Sequence, residues 1–412
     1  MATQLAAHQP LAGFDMTDPG HYADDRWRAP FAKLRATGPV NWVAESPFGP
    51  HWNVVSTKAI QYVESLPDVF SSSWEYGGIT VADRDEDSPE PMLPMFIAMD
   101  RPRHTEQRRT VAPAFTPAEM KRMAVEIRRR TGEVLDELPA DDTFDWVDRV
   151  SIELTTGMLA MLFDFPWEER RKLTTWSDWA GDIEMARNPD TRMERLGHLY
   201  QMATEFRALW ESKMEGPPTP DLISVMIHSA AMSDMSNEEF MGNLVLLIVG
   251  GNDTTRNSMS AVAYGLNKFP EQRAKLEADP ALIPNAVNEI IRWQTPLSHM
   301  RRTCVEDHEV EGQLIAKGDK VILWYIAANR EPEVFDDPDT IVVDRPNARR
   351  HLAFGYGIHR CVGARLAELQ LQTLLEELAA RRMRVVPTGE PERVPACFVH
   401  GYRHMDARIE RY

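Results

Sequence analysis

Hydrophobic positions three and four residues apart dominate the chain from Thr116 onward, which is the spacing of one buried face of an α-helix. The segment LGHLYQMATEFRALWESKM is typical of this pattern. A second such stretch opens with a capping-box pair, Ser236 and Glu239, and ends before Pro270. At 1.5 Å per residue it predicts a helix about 50 Å long. A helix of that length crosses a whole domain, so we expect its middle to be buried.

Patterns typical of strands are shorter and fewer, and they occur in HWNVVS, HEVEGQLIAKGDKVILWYI and ACFVHGYRH. The balance predicts a mostly α fold with a minor β region. We find no internal repeat, low-complexity tract or flexible linker. We therefore expect a single domain over residues 1–412, with a loosely ordered N-terminal segment over about residues 1–20.

Composition excludes several classes of protein. The 412 residues include 46 Lys and Arg against 63 Asp and Glu, a net charge of −17, which argues against nucleic-acid binding. The start of the chain does not resemble a signal peptide, and the longest apolar run, near LVLLIVGG, is far shorter than the roughly 20 residues that span a bilayer. Three unclustered cysteines argue against a disulfide scaffold and a zinc site. We expect a cytoplasmic protein with no membrane span.

Basic residues nevertheless occur in tight groups on this acidic chain. The groups are Arg108 with Arg109, Lys121 with Arg122, Arg128–Arg130, and Arg349 with Arg350. Each group is either a solvated surface or part of a docking face for an acidic protein.

One cysteine stands in an unusual setting, HLAFGYGIHRCVGARLAELQ, just before a predicted helix. Unpaired N–H groups and the positive end of the dipole at a helix N-terminus favour ionisation of Cys361. Gly355 and Gly357 allow a tight turn and the close approach of a flat ligand, and Gly363 allows close packing of the helix start. The residues alone leave a metal-binding, a nucleophilic and a buried structural cysteine open.

The segment FGYGIHRCVG resembles the haem-ligand loop of the cytochrome P450 enzymes at seven defined positions. The resemblance implies the cytochrome P450 fold and a haem b cofactor (heme b, iron protoporphyrin IX). It also implies that the Cys361 thiolate is the proximal ligand of the iron. Phe354 would then pack near the sulfur, and His359 would reach a haem propionate. The likeness covers nearly the whole chain, from about residue 20 onward.

Two further motifs follow the order of this family. In EIIR, Glu289 and Arg292 lie three residues apart on one helical face, and Arg345 stands where the family places the third member of a buried ion-pair network. In LLIVGGNDTTRNSM, the pair Asp253 and Thr254 resembles the oxygen-activating segment of the family. Without that context, this segment also fits a capped break or a solvated turn.

The segment DRPRHTEQRR resembles the helix along one edge of the haem. His104 and Arg108 match positions that pair with haem propionates, as does Arg302 in MRRTCVEDHEV. Arg109 would point outward, toward a redox partner.

The sequence around these motifs resembles the bacterial alkane and fatty-acid terminal (omega-) hydroxylases of the family, the CYP153-like group. This likeness implies insertion of one oxygen atom from O2 into the terminal C–H bond of a medium-chain alkane or fatty acid. Electrons would come from a separate acidic ferredoxin and its reductase, so NAD(P)H would serve only indirectly. The candidate pocket residues are apolar or small: Met95, Phe96, Ile97, Leu246, Val249, Gly250, Leu297, Met300, Phe398 and Val399.

Other functions stay open at this point. A relative that uses peroxide directly would often lack the acid–alcohol pair that this chain retains. A non-catalytic haem-thiolate binding protein or sensor would need neither a proton relay nor an apolar channel. A terpene or steroid hydroxylase would keep the chemistry and change the substrate.

Overall fold

The computed structural model describes residues 15–83, 92–182, 185 and 188–412. The α-helices of this part are α1 (Pro19–Ala23), α2 (Arg28–Thr37), α3 (Thr57–Glu64), α4 (Arg103–Val111), α5 (Pro117–Asp136), α6 (Glu153–Phe163), α7 (Arg171–Gly181), α8 (Pro189–Lys213), α9 (Leu222–Ile227), α10 (Asn237–Lys268), α11 (Pro270–Ala278), α12 (Ile283–Gln294), α13 (Tyr325–Ala328) and α14 (Ala364–Ala380). The strands are β1 (Val40–Val43), β2 (His51–Val54), β3 (Phe70–Ser71), β4 (Phe144–Asp145), β5 (His299–Cys304), β6 (His308–Val310), β7 (Gln313–Ile315), β8 (Lys320–Trp324), β9 (Met383–Pro387), β10 (Glu392–Arg393), β11 (Tyr402–His404) and β12 (Asp406–Arg411). The mostly α prediction with a minor β region is confirmed.

The largest sheet has the strand order β1-β2-β8-β5-β3. Strands β2 and β8 pair in parallel, with Trp52 opposite Val321, and the other neighbours pair antiparallel. The sheet therefore joins N-terminal strands to β5 and β8, which lie in the last third of the chain. Met300 and Arg302 lie two residues apart on β5 and therefore project from the same face of the sheet, toward the interior cavity described below.

Helix α10 connects two hydrophobic cores. Its N-terminal part, from Phe240 to Ile248, packs into a core with α5 to α9. Its C-terminal part, from Met259 to Leu266, packs into a second core with α12, α14, β9 and β12. The 32-residue helix is about 48 Å long, and most of it is buried, as the sequence pattern predicts.

The predicted capping box at the start of α10 forms only in part. Ser236 Oγ accepts a hydrogen bond from the Glu239 N–H at 3.2 Å. The Glu239 carboxylate does not return to the cap and instead binds Arg103 and Gln107 on α4. This side chain therefore ties α10 to α4.

At the N-terminus, residues 1–14 of the predicted loose segment lie outside the described residues. Met16 and Thr17 are buried, and Tyr22 Oη donates a hydrogen bond to the Met16 carbonyl at 2.8 Å. The loose segment therefore does not extend to residue 20. Within the described residues, no helix combines the length and apolar character that crossing a bilayer requires.

Candidate active site

A cavity of about 820 Å³ lies between the middle of α10, the loop before α14, α4 and strand β5. Its walls include Thr254 and every predicted pocket residue: Met95, Phe96, Ile97, Leu246, Val249, Gly250, Leu297, Met300, Phe398 and Val399. They also include all predicted cofactor-binding residues: His104, Arg108, Arg302, Phe354, His359, Cys361 and Gly363. Asp253 does not line the cavity.

The loop that carries Cys361 is closed by its own backbone. The Cys361 N–H donates to the Phe354 carbonyl at 2.8 Å, and Gly355 and Gly357 have φ values of +66° and +64°, in the left-handed region that favours glycine. A Cβ on Gly357 would lie 2.3 Å from the Glu64 carbonyl oxygen. The tight turn is as predicted, but Gly357 makes room for the end of α3 and not for a flat ligand.

Two other expectations about this loop need correction. A Cβ on Gly363 would make only ordinary contacts, the nearest at 3.7 Å from Phe115, so close packing of the helix start does not require glycine there. Burial raises the pKa of the Cys361 thiol, although the Gly363 N–H and the nearby Arg108 and Arg360 act in the opposite direction. The thiol is nevertheless exposed at the cavity wall, where a metal ion can reach it, and cysteine binds a metal as the thiolate.

Two histidines on the cavity wall have no hydrogen-bond partner for any ring nitrogen within the described structure. The rings of His104 and His359 lie with their centroids 4.2 Å apart, and all four nitrogens are buried. Burial, together with nearby arginines, lowers the pKa of His104 to about 4 and that of His359 well below its ordinary value. Buried polar groups are normally hydrogen-bonded, so these rings fit a carboxylate-bearing ligand that is inserted beside them.

Arg302, the third predicted propionate ligand, already has a protein partner. Its Nη2 lies 3.0 Å from Glu64 Oε1, and its Nη1 donates to the Arg301 carbonyl at 2.8 Å. Sequence reasoning missed Glu64, although its position four residues after the buried Ile60 places it on the buried face of α3.

The middle of α10 borders the cavity without a break in the helix. Thr254 Oγ1 donates to the Gly250 carbonyl at 2.9 Å. A Cβ on Gly250 would meet no heavy atom within 4 Å, whereas one on Gly251 would lie 2.7 Å from Leu159 Cδ2. The space beside Gly250 belongs to the cavity, so this glycine leaves room for a ligand.

Asp253 lies on another side of α10, against α7. Its Oδ1 accepts hydrogen bonds from Ser177 Oγ at 2.7 Å and Asn252 Nδ2 at 3.1 Å, and it lies 3.3 Å from Arg256 Nη2. Arg256 also pairs at 2.8 Å with Asp178, which is half-exposed. Burial raises the pKa of Asp253, and Arg256 opposes that rise. A chain of charges thus leads from the surface to a buried carboxyl group one residue before Thr254.

The structure brings together the three residues of the predicted ion-pair network. Glu289 accepts from Arg292 through both oxygens at 2.8 Å, and from Arg345 Nε at 2.9 and 3.0 Å. Arg292 also donates to the carbonyls of Asn329 and Thr340. Arg292 is thus held by Glu289 on its own helix and by backbone carbonyls between the end of α13 and the cysteine loop.

The basic groups divide into two kinds. Arg122 and Arg128–Arg130 are paired with glutamates of α5 and α14. Arg108 turns inward to the cavity and the Arg360 carbonyl, while Arg109 is exposed. The exposed arginines that take part in no ion pair found among the described residues include Arg109, Arg349, Arg350, Arg360 and Arg365.

Comparison with known proteins agrees with this geometry. A family profile described as Cytochrome P450 matches residues 185–393. CYP153D17 from Sphingomonas sp. PAMC 26605 has a TM-score of 0.92 and 66% sequence identity, over 96% of this chain and 99% of that chain. Cytochrome P450-153 from Novosphingobium aromaticivorans has a TM-score of 0.92 and 61% identity with the same coverage. Linalool 8-monooxygenase from Pseudomonas putida is 34% identical over 401 residues, 95% of this chain and 98% of that protein.

Proposed function

The chain belongs to the cytochrome P450 family, and on that basis we propose that it hydroxylates the terminal carbon of medium-chain alkanes or fatty acids. As a monooxygenase of this family it uses haem b, O2 and a redox partner that delivers electrons from NAD(P)H. When bound, the haem activates O2 so that one oxygen atom enters a C–H bond and the other leaves as water.

Residues on the cavity wall would hold the haem. Cys361 would supply the sulfur ligand, with Phe354 beside it. The unpaired ring nitrogens of His104 and His359 and the guanidinium of Arg302 would bind the propionates. Each ring can donate an N–H to a propionate oxygen.

Thr254 and Asp253 divide the handling of protons between them. Thr254 Oγ1 lies at the cavity wall and donates to the Gly250 carbonyl, so its oxygen can accept a hydrogen bond and orient a proton donor within the cavity. The Asp253 carboxyl group can hold a proton away from the cavity, because burial raises its pKa. Its contacts to Ser177 and Arg256 connect it to the surface. General acid catalysis of this kind contributes on the order of 10²-fold or more.

The single observation that carries the proposed substrate is the wall of the cavity: all ten apolar or small pocket residues share it with Cys361. An alkyl chain would be bound there by burial of its apolar surface. A terminal methyl group has a stronger C–H bond than the adjacent methylene. Terminal selectivity therefore requires walls that admit only the chain end, and we assign that role to Leu297 and Val249, which line the cavity. Resemblance to the CYP153-like hydroxylases supports the same substrate class.

We assign electron delivery to an acidic ferredoxin and its NAD(P)H-dependent reductase. Arg349, Arg360 and Arg365 act on the same carboxylate, that of Glu368, and so lie close to one another beside the cysteine loop. These three exposed arginines form a local basic patch on a chain of net charge −17, and Arg108, the neighbour of the exposed Arg109, donates to the Arg360 carbonyl. Opposite charge would steer a small acidic protein to the cysteine side of the cavity.

A terpene is the second candidate substrate. The observation in its favour is the 34% identity to linalool 8-monooxygenase over nearly the full length of both proteins. Terpene hydroxylation would use the same cavity and cofactor and would differ only in the shape that the walls accept.

Two measurements test the proposal in sequence. The reduced protein with carbon monoxide should show the red-shifted Soret band of sulfur-ligated haem, and Cys361→Ala should abolish it. Difference spectra should then be recorded with octane, dodecanoic acid, linalool and a steroid. A spin-state shift with octane or dodecanoic acid, followed by formation of the primary alcohol, supports terminal hydroxylation. A shift with linalool alone would favour the terpene.

A further inference from the structure

A buried carboxylate outside the recognised motifs lies at the end of α3. The Glu64 side chain is 1% exposed. It receives three donors: Arg302 Nη2 at 3.0 Å, Tyr325 Oη at 2.7 Å and the Tyr356 N–H at 2.9 Å. Two of these donors, Arg302 and Tyr325, belong to residues that line the cavity.

The three contacts join distant parts of the chain. The donors lie 238, 261 and 292 residues from Glu64, on β5, on α13 and in the loop that carries Cys361. The backbone takes part as well, because the Glu64 carbonyl occupies the space that the missing side chain of Gly357 leaves. A single residue thus fixes the position of one predicted propionate ligand and of the cysteine loop.

Charge is the second part of the arrangement. Arg302 is 4% exposed at its side chain, and a buried cation without a counter-charge is costly. Glu64 supplies that counter-charge from the protein side, opposite the cavity. Arg101, Arg108 and the rings of His104 and His359 lie near the same end of the cavity. Without Glu64, the positive charge that faces a bound carboxylate would rise by one unit.

We propose that Glu64 is a positioning residue that orients Arg302 and the cysteine loop and, through its negative charge, lowers the reduction potential of the bound haem. The inference rests on the proposed function, because it requires haem in the cavity. A negative charge near the iron favours the ferric over the ferrous state, since reduction adds an electron there. A hydrogen-bonding role alone would not have this consequence.

Three single variants separate charge from shape, and the haem potential is read by spectroelectrochemical titration of each holoenzyme. Glu64→Gln keeps nearly the same shape and removes the charge. It should shift the ferric–ferrous equilibrium about tenfold toward ferrous, which is about 59 mV upward for a one-electron couple. Glu64→Asp keeps the charge and should stay near the unaltered protein. Glu331→Gln is the matched control, because Glu331 accepts the Thr57 N–H at 2.7 Å at the other end of the same helix and does not line the cavity.

An unchanged potential in Glu64→Gln overturns the inference, as does an equal shift in Glu64→Asp or Glu331→Gln. If Glu64→Gln does not fold, the double variant Glu64→Gln with Arg302→Gln carries the test. Its potential should lie close to that of the unaltered protein, because both charges are gone. A potential displaced as far as that of Arg302→Gln alone contradicts the role of Glu64. Failure of the proposed function looks different, because the unaltered protein itself would then lack the carbon monoxide band.

Discussion

Replacing Gly250 or Gly251 by alanine applies the same chemical change at two neighbouring positions of α10 whose surroundings differ. A methyl group on Gly250 would enter the cavity, with no heavy atom within 4 Å. A methyl group on Gly251 would lie 2.7 Å from Leu159 Cδ2, and Leu159 is 1% exposed in the packed core. The two variants therefore separate helix propensity from packing.

The magnitudes follow from these surroundings. Alanine is favoured over glycine in a helix interior by about 1 kcal/mol. Gly250→Ala should realise that gain, because no heavy atom of the protein lies within 4 Å of the added methyl group. Gly251→Ala should lose about 1–3 kcal/mol to overpacking against Leu159, so its net effect ranges from about zero to about 2 kcal/mol of destabilisation. An unfolding entropy of about 2.1 cal/mol/K per residue over 412 residues corresponds to about 1 °C in Tm for each kcal/mol.

Differential scanning calorimetry of the substrate-free holoenzymes is the assay. Gly250→Ala should melt about 1 °C above the unaltered protein, and Gly251→Ala at or up to about 2 °C below it. Spectral titration of the same samples should show that Gly250→Ala weakens the binding of a branched chain more than that of a linear one. A lower Tm for Gly250→Ala, or equal shifts for both variants, would refute the assignment of the space beside Gly250 to the cavity.

Further substitutions test other parts of the site. Glu289→Gln leaves two buried arginines without their carboxylate and should cost about 3–5 kcal/mol; an unchanged denaturant midpoint would contradict the importance of the network. Asp253→Asn should slow product formation on the order of 10²-fold while electrons are still consumed; comparing oxygen uptake with product measures this, and unaltered coupling would exclude the relay. Leu297→Ala should raise the fraction of subterminal alcohol, and gas chromatography showing the same product ratio would remove this residue from the channel wall. Arg109→Glu should raise the KM for an acidic ferredoxin, most strongly at low salt; a KM that does not change would place the docking face elsewhere.

Short-range patterns predicted the elements that depend on local sequence. The glycines and the cysteine of the loop lie within a few residues of one another, and their tight turn is set by local backbone geometry. The length of α10 follows from its apolar spacing and from Ser236 and Pro270 at its ends. The course of these segments therefore follows largely from neighbouring residues, whereas the contact of Gly357 with Glu64 does not.

Long-range contacts cannot be predicted from local sequence, whereas some features of single helices follow from helical geometry. The contact of Glu64 with Arg302 joins residues 238 positions apart, and no local pattern predicts it. The separation of Asp253 from the cavity is predictable, because the side chains of consecutive residues in an α-helix point about 100° apart and Thr254 faces the cavity. The pairing of Arg129 with Glu126 and Glu133 was also readable from their spacing of three and four residues.

The junction between the two cores has a consequence for how this protein can diversify. Each end of α10 is anchored in its own apolar cluster, whereas Val249, Gly250, Thr255 and Ser258, which lie between them, border the cavity. Substitutions at these positions can alter which molecules are accepted while both anchors stay intact. New substrate specificities can therefore arise through changes at a few positions of one helix, without a prior increase in the stability of the fold.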